Sequence, residues 1–318
     1  MAKIDLSKIS TENRNISTLD IDIVSTREIC KKINKEDQGV AKAVKLAIPQ
    51  IAKLIDACVK GMRNGGRIIY VGAGTSGRIG LLDAVECPPT YSCTFEDVQC
   101  LMAGGDKAFV KAVEGAEDNI DLGYSELIAL NVNKNDIVIG IAASGRTPYV
   151  IGAINGAIEK GAKTGCIVTS KNSKLANLVE YPVEAITGAE PITGSTRMKS
   201  GTAQKMICNM ITTGTMIKLG RVYSNLMIDV QMTNEKLVKR GRSILMDATG
   251  ISEEEAKEKI DKFKTVKKAL FAILSGIDDV EEVNDKMKKA KGNIRVALKK
   301  EGKWWLKQLN LKINMDLC

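Results

Sequence analysis

The run Arg67-Ile68-Ile69-Tyr70-Val71 opens onto Gly72-Ala73-Gly74-Thr75-Ser76-Gly77, and the reading of this junction decides the fold. Ile68 to Val71 is apolar without alternation, as in a strand covered on both faces, and the glycines end it before a helical stretch. Upstream, Val40, Val44, Ala47, Ile48, Ile51, Leu54, Ile55, Cys58 and Met62 recur at helical spacing until Asn64-Gly65-Gly66. This predicts a long amphipathic helix over 40–62, bent at Pro49. Downstream the pattern repeats. Asp136 to Ile141 reads as a strand ending in Ala142-Ala143-Ser144-Gly145-Arg146-Thr147-Pro148, Tyr149 to Lys160 as a helix, and Thr164 to Thr169 and Tyr181 to Ile186 as strands. Short strands alternating with helices need crossover connections, so the fold class is α/β, a doubly wound parallel sheet with helices on both faces.

Beyond the sheet, Met206, Ile207, Met210, Ile211, Gly214 and Ile217 place an apolar face on a helix over 205–219, suited to the core or to a second subunit. After Thr249-Gly250 the texture turns to charged helices: Ser252 and Glu255 fit a capping box, and Thr265 to Leu274 and Val280 to Lys289 form two more. The expected organisation is an N-terminal arm over 1–39, a ligand-binding domain over 40–249, a small helical (UBA-like) domain over 250–300 with its linker near Gly250, and a tail over 301–318. In that tail Trp305, Leu309 and Ile313 share one helical edge, docked on the protein rather than on a membrane.

A chain of 318 residues suits one large domain with an appendage, and 44% apolar with 27% charged residues is an ordinary globular balance. The net charge of +9 rests on lysines densest in 257–268 and 286–300, read as a solvated helical surface rather than a nucleic-acid footprint. The eight cysteines have no CxxC spacing and several sit in apolar stretches, so they read as reduced, buried thiols. Met1 to Asn15 lacks the apolar core of a signal peptide and no window is long enough to span a bilayer, which together point to the cytoplasm. The chain contains no histidine, so imidazole bases, serine–histidine triads and histidine metal sites are excluded within it. Proton chemistry falls to Glu, Asp, Lys, Tyr and Cys.

Gly72, Gly74 and Gly77 satisfy GxGxxG, but a dinucleotide site also wants an acid after the second strand, and here Glu96 and Asp97 precede Val98 to Ala103 while only Asp106 follows. The interior of the frame is Thr75-Ser76, and later turns repeat the hydroxyls as Ser144-Gly145-Arg146-Thr147 and Thr193-Gly194-Ser195-Thr196-Arg197. Backbone amides at helix starts with serine and threonine hydroxyls suit a phosphate ester, while one such turn alone is more simply a helix cap. Three of them at strand ends favour a shared phosphate-bearing ligand, held by Thr75, Ser76, Ser144, Arg146, Thr147, Ser195 and Thr196.

Seven motifs in order extend this reading. They are Thr11-Glu12-Asn13-Arg14-Asn15, Gly72 to Arg78, Glu86-Cys87-Pro88-Pro89-Thr90, Val113-Glu114-Gly115-Ala116-Glu117-Asp118, Ala142 to Tyr149, Thr193 to Lys199, and Thr233-Asn234-Glu235-Lys236-Leu237. Together, from about residue 11 to about residue 300, they resemble the N-acetylmuramic acid 6-phosphate etherases. The resemblance implies a sugar isomerase (SIS) domain of three αβα layers, paired as a homodimer, with no metal or organic cofactor. It implies cleavage of the D-lactyl ether of the substrate to N-acetylglucosamine 6-phosphate and D-lactate in cell-wall recycling, with catalytic glutamates at Glu86 and Glu117. Val85 and Ser200 depart from the family pattern without removing a reactive group.

Such a reaction needs a base for the proton on carbon 2 of the opened sugar and an acid for the departing lactate oxygen. Glu86, two residues before Pro88-Pro89, is expected to end a helix, where the negative end of the dipole favours a protonated acid. Glu117 precedes a helix over 118–130, where the positive end favours a carboxylate base, and Glu114 is an equal candidate. Arg14 or Asn13 can reach the sugar from the arm, while Tyr149, Thr193 and Lys199 serve equally as packing or loop residues. The alternative function is a non-catalytic sugar-phosphate-sensing regulator of the SIS type. An aldose–ketose isomerase is disfavoured by the missing histidine.

Overall fold

The computed structural model describes residues 12–111, 113–232 and 234–302; Thr11, Thr233 and the stretch from Trp304 to Cys318, with Trp305, Leu309 and Ile313, lie outside the described residues. The chain divides into two compact units, one up to Cys87 and over Thr94–Thr215, the other over Pro88–Cys93 and from Met216 onward.

The first unit contains α1 (Thr26–Arg63), β1 (Ile68–Gly72), α2 (Gly74–Tyr91, its last residues in the second unit), β2 (Val98–Met102), α3 (Lys107–Val110) and α4 (Ile120–Ala129). It continues with β3 (Ile137–Ile141), α5 (Pro148–Glu159), β4 (Lys163–Val168), α6 (Lys174–Leu178), β5 (Tyr181–Glu184) and α7 (Lys199–Lys218, its end likewise in the second unit). The five strands are parallel in the order β2-β1-β3-β4-β5. The α/β doubly wound fold expected from the sequence is the one observed.

Residue alternation explains the layers. Ile69, Val71 and Val138 share one core with Leu127 of α4 and with Tyr149, Val150 and Ile154 of α5. Ile68, Tyr70, Ile137 and Ile141 have the opposite parity and face the other layer. There Gly61 of α1 abuts Ile137, Gly80 of α2 abuts Tyr70 and Ile141, and the Tyr70 hydroxyl donates to Asp83 of α2 at 3.1 Å. Ile68 to Val71 are each 0% exposed, as a strand covered on both faces requires. Helices α4 and α5 pack backbone to backbone: a Cβ at Gly152 would lie 1.9 Å from the Ile120 carbonyl oxygen, and one at Gly123 equally close to that of Tyr149.

Register between β1 and β3 is pinned at their entry ends. The Asp136 carboxylate, wholly buried, accepts from the Arg67 backbone N–H at 2.8 Å, from Arg67 Nη2 at 2.7 Å and from the Asn133 N–H at 3.0 Å. Ile68 then stands beside Ile137 and Gly72 beside Ile141.

The second unit contains the hairpin β6 (Val222–Tyr223) and β7 (Leu226–Met227), then α8 (Glu235–Thr249), α9 (Glu253–Phe263), α10 (Val266–Ser275), α11 (Val280–Lys289) and α12 (Ile294–Lys300). Ile228, Leu245, Phe263, Leu270, Phe271 and Leu298 share its core. The capping box of Ser252 and Glu255 is present. Among the described residues no helix is long and apolar enough to cross a membrane.

Several expected boundaries move. Helix α1 starts at Thr26, inside the expected arm, because Ser25 caps it through the Glu28 N–H and its first turns are polar and exposed. Helix α7 starts at Lys199 rather than 205. Gly250 is not a linker: with φ of 75° it is the left-handed C-cap of α8, whose Ile244, Leu245 and Ala248 belong to the same core as α9 and α10. The division between units therefore falls near 215 and not near 250.

Replacing Asp136 by alanine removes the buried carboxylate shared by the half-buried Arg67 and the Asn133 N–H, leaving the Arg67 guanidinium only the Leu130 and Asn131 carbonyls; an unfolding titration in urea should show a loss of about 1–3 kcal/mol.

Candidate functional site

The strand order reverses between β1 and β3: β1 leads through α2 to β2 on one side, and β3 through α5 to β4 on the other. In open α/β sheets the crevice beyond the carboxyl ends of two such strands is where ligands sit. The turn after Gly72 and the turn after Ile141 flank it, since these two residues are register partners.

Gly74, at φ of 53°, is the first residue of α2, so Thr75 and Ser76 stand in its first turn, where N–H groups lack intrahelical acceptors. The frame glycines are used for close approach: a Cβ at Gly72 would lie 2.6 Å from the Gly77 nitrogen. Ser76 Oγ donates to Gln204 Oε1 on α7 at 2.9 Å, and a Cβ on Gly201 of the same helix would rest 3.4 Å from Thr75 Cγ2 and 3.5 Å from the Thr196 carbonyl oxygen. Thr75, Ser76 and Thr196 are thus brought together around the start of α7. Nothing in the sequence marks Gln204, whose buried Nε2 has no hydrogen-bond partner among the described residues.

Ser144 follows β3 in the neighbouring turn, and Gly145, at φ of 62°, leaves no room for a Cβ against Ser173. Thr147 is the N-cap of α5 without a side-chain capping bond, and Arg146 is exposed. Among the described residues the hydroxyls of Thr75, Ser144, Thr147, Ser195 and Thr196 make no hydrogen bond, so none of these side chains acts as a helix cap.

The third turn differs from its expected role. Thr193 to Arg197 follows β5 only after an intervening segment, and the N-terminus of α7 is occupied by the buried Glu190. Its carboxylate accepts from the Lys199 and Ser200 N–H groups at 2.8 and 2.9 Å and from Ser200 Oγ at 2.7 Å. Lys199 Nζ is committed to Glu36 at 2.7 Å and to the Ala189 carbonyl at 2.8 Å. Asn15 and Thr18 tie the N-terminal segment to the same strip, through Ala189 and Pro191. Asn13 and Arg14 are exposed on that segment.

Glu117 is exposed and lines a cavity of about 250 Å³ together with Gly74, Arg78, Ala103, Glu114 and Asp118. Its backbone carbonyl accepts from the Tyr149 N–H at 3.0 Å, which fixes it beside the start of α5. The Arg78 guanidinium is held by the carbonyls of Ala108 and Phe109 at 2.7 and 2.9 Å. Glu86 lies elsewhere, on a cavity of about 170 Å³ with Asp83, Lys205 and Asn209. The helix-end argument for Glu86 does not hold, because α2 continues through Pro88 and Pro89 to Tyr91 and the Ser92 N–H still reaches the Pro88 carbonyl at 2.9 Å. In that cavity burial raises the Asp83 carboxyl above its ordinary value, against hydrogen bonds from Thr212, Asn209 and Tyr70. Among the described residues no group of three or more Cys, Asp or Glu is placed to hold a metal ion.

Known proteins decide the family. Residues 50–158 match the glucokinase regulatory protein N-terminal SIS domain, and residues 118–214 match the SIS domain. An N-acetylmuramic acid 6-phosphate etherase of Aliivibrio salmonicida is 50% identical over 93% of this chain and 99% of its own length. The chain belongs to the N-acetylmuramic acid 6-phosphate etherase family. An etherase of Clostridium beijerinckii is 49% identical over 94% of this chain and 98% of its own length. One of Bacillus cereus is 48% identical over 92% and 100%. The etherase likeness thus spans both units, whereas the regulatory-protein model stops at residue 158.

Glu36 sets an acid limit on this architecture. Burial pushes its carboxyl up, but hydrogen bonds from Lys199, Ser17 and Asn15 outweigh burial and hold it at about 2, below the ordinary 4.5. A depressed carboxyl contributes stability that is complete above the unfolded value and disappears as pH falls through the folded one. The stability gap between the wild type and Glu36→Gln, from unfolding titrations, should be constant above pH 5 and close between about pH 4.5 and 2.

Proposed function

We propose that this chain is a carbon–oxygen lyase that cleaves the D-lactyl ether of N-acetylmuramic acid 6-phosphate. The products are N-acetylglucosamine 6-phosphate and D-lactate, formed in cell-wall amino sugar recycling. The observation that carries the reading is the near-full-length identity to etherases in a chain whose Glu117 shares a cavity with the first residue of α2.

The phosphate takes the first-turn amides of α2 and the uncommitted hydroxyls of Thr75, Ser144, Thr147, Ser195 and Thr196, with Ser76 turning from Gln204 toward the ligand and Arg146 adding charge from the rim. In the ring-opened sugar the aldehyde acidifies the proton on carbon 2. Glu117 accepts that proton; the bond from carbon 3 to the lactate oxygen breaks as an acid protonates that oxygen, leaving a double bond between carbons 2 and 3. Water then adds across it, its hydroxyl to carbon 3 and a proton to carbon 2. Glu117 enters through its place on the cavity; Glu86 lines a separate cavity of the chain and enters as the acid only through the motif it shares with the family. The working form is a cytoplasmic homodimer. A sensor without chemistry has no need of this proton acceptor, and the etherase identity over 93% of the chain favours catalysis.

Assays of D-lactate release and of solvent-deuterium exchange at carbon 2, run separately, test the roles. Glu117→Gln should lower both by about 10²- to 10⁴-fold, and Glu86→Gln should lower lactate release by a similar factor while exchange persists. Exchange at the wild-type rate in Glu117→Gln would remove it as the base. Unchanged lactate release in Glu86→Gln would remove that residue as the acid.

A further inference from the structure

The second unit holds a cavity of about 460 Å³, inside the range of about 300–1,000 Å³ typical of small-molecule sites. Among the described residues its wall carries Arg221, Lys267, Lys268 and Lys288 against a single carboxylate, Asp229, an excess of three positive charges. Asp229 Oδ2 accepts from both Arg221 Nη1 at 3.1 Å and Lys267 Nζ at 2.6 Å, so one anionic oxygen serves two cations. Lys267 is deep in the wall, its side chain 12% exposed. Lys268 and Lys288 make no ion pair among the described residues, and Lys288 is exposed at the rim. On the same wall, Asn284 Oδ1 is buried and meets no donor among the described residues.

Each feature specifies part of a ligand. Cations in a concave, partly desolvated wall outnumber their counter-charge, and an incoming anion completes the pairing with little reorganisation. The occluded amide oxygen needs a donor at its own position, which a carbon-borne hydroxyl beside the phosphate supplies while the phosphate oxygens stay on the cations. We propose that this cavity binds a small phosphorylated polyol, with its phosphate on Lys267, Lys268 and Lys288 and a hydroxyl donated to Asn284. The site belongs entirely to the helical unit and is additional to the crevice between β1 and β3.

Hydrogen–deuterium exchange on the full chain tests it, with glycerol 3-phosphate as the probe and glycerol and inorganic phosphate as controls. Glycerol 3-phosphate should slow exchange over 265–268 and 284–292, glycerol should not, and inorganic phosphate should do so only at higher concentration. The double variant Lys268→Glu/Lys288→Glu, altered in side chains without ion pairs, should weaken that protection about tenfold or more, and added salt should weaken it in the wild type. Asn284→Leu should erase the advantage of glycerol 3-phosphate over inorganic phosphate. The proposal fails if protection is confined to 74–77 and 144–147, if the double variant binds as tightly as the wild type, or if glycerol 3-phosphate and phosphate protect equally in the wild type.

Discussion

The buried carboxylate of Asp136, gripping the backbone and guanidinium of Arg67, fixes how β1 lies against β3. Those two strands are neighbours in space although β2 separates them in sequence, and the direction of strand order changes between them. A slip of one residue would exchange the faces of every side chain, sending Tyr70 into the layer of α4 and α5 and moving the Thr75-Ser76 turn out of step with Ser144. The ion pair at one end of the strands therefore sets which groups meet at the other.

At that other end, polar groups fall into two kinds. Glu190, Ser200, Lys199 and Glu36 are saturated with hydrogen bonds and hold the start of α7 rigid. Around them, among the described residues, the hydroxyls of Thr75, Ser144 and Thr147 have no internal partners, and Ser76 has one, the side chain of Gln204. These hydroxyls are half-buried, so they stand open to water or to a ligand. The contrast between a saturated frame and an unsaturated lining marks the crevice more sharply than the glycine pattern does.

The sheet was legible because strands covered on both faces have an unmistakable texture, as in Ile68 to Val71, and because glycine turns punctuate them. Helix limits were harder. The first turns of α1 bear no apolar stripe, and only Ser25 with Glu28 betrays them. Pro88 and Pro89 look like a helix stop, yet proline's fixed φ is helical, and the bond from Ser92 to Pro88 carries the last turn past them. Gly250 looks like a linker because a C-cap and a linker use the same residue for the same positive φ. The site was legible in residue type but not in partnership: the hydroxyl turns could be read, whereas Gln204 and Glu190 reach them only through folding at long range, and the separate cavities of Glu86 and Glu117 leave no trace in spacing.

The interleaving of the two units has a consequence for how the chain is made. Residues 88–93 belong to the second unit, but they emerge from the ribosome while the sheet of the first is still incomplete, and the rest of their own unit begins only at Met216. Ser92, whose hydroxyl bonds the Asp229 carbonyl, must wait for that partner to be synthesised. Vectorial synthesis thus leaves this short strip as an unmatched surface until late, and no single cut of the polypeptide yields two self-sufficient halves.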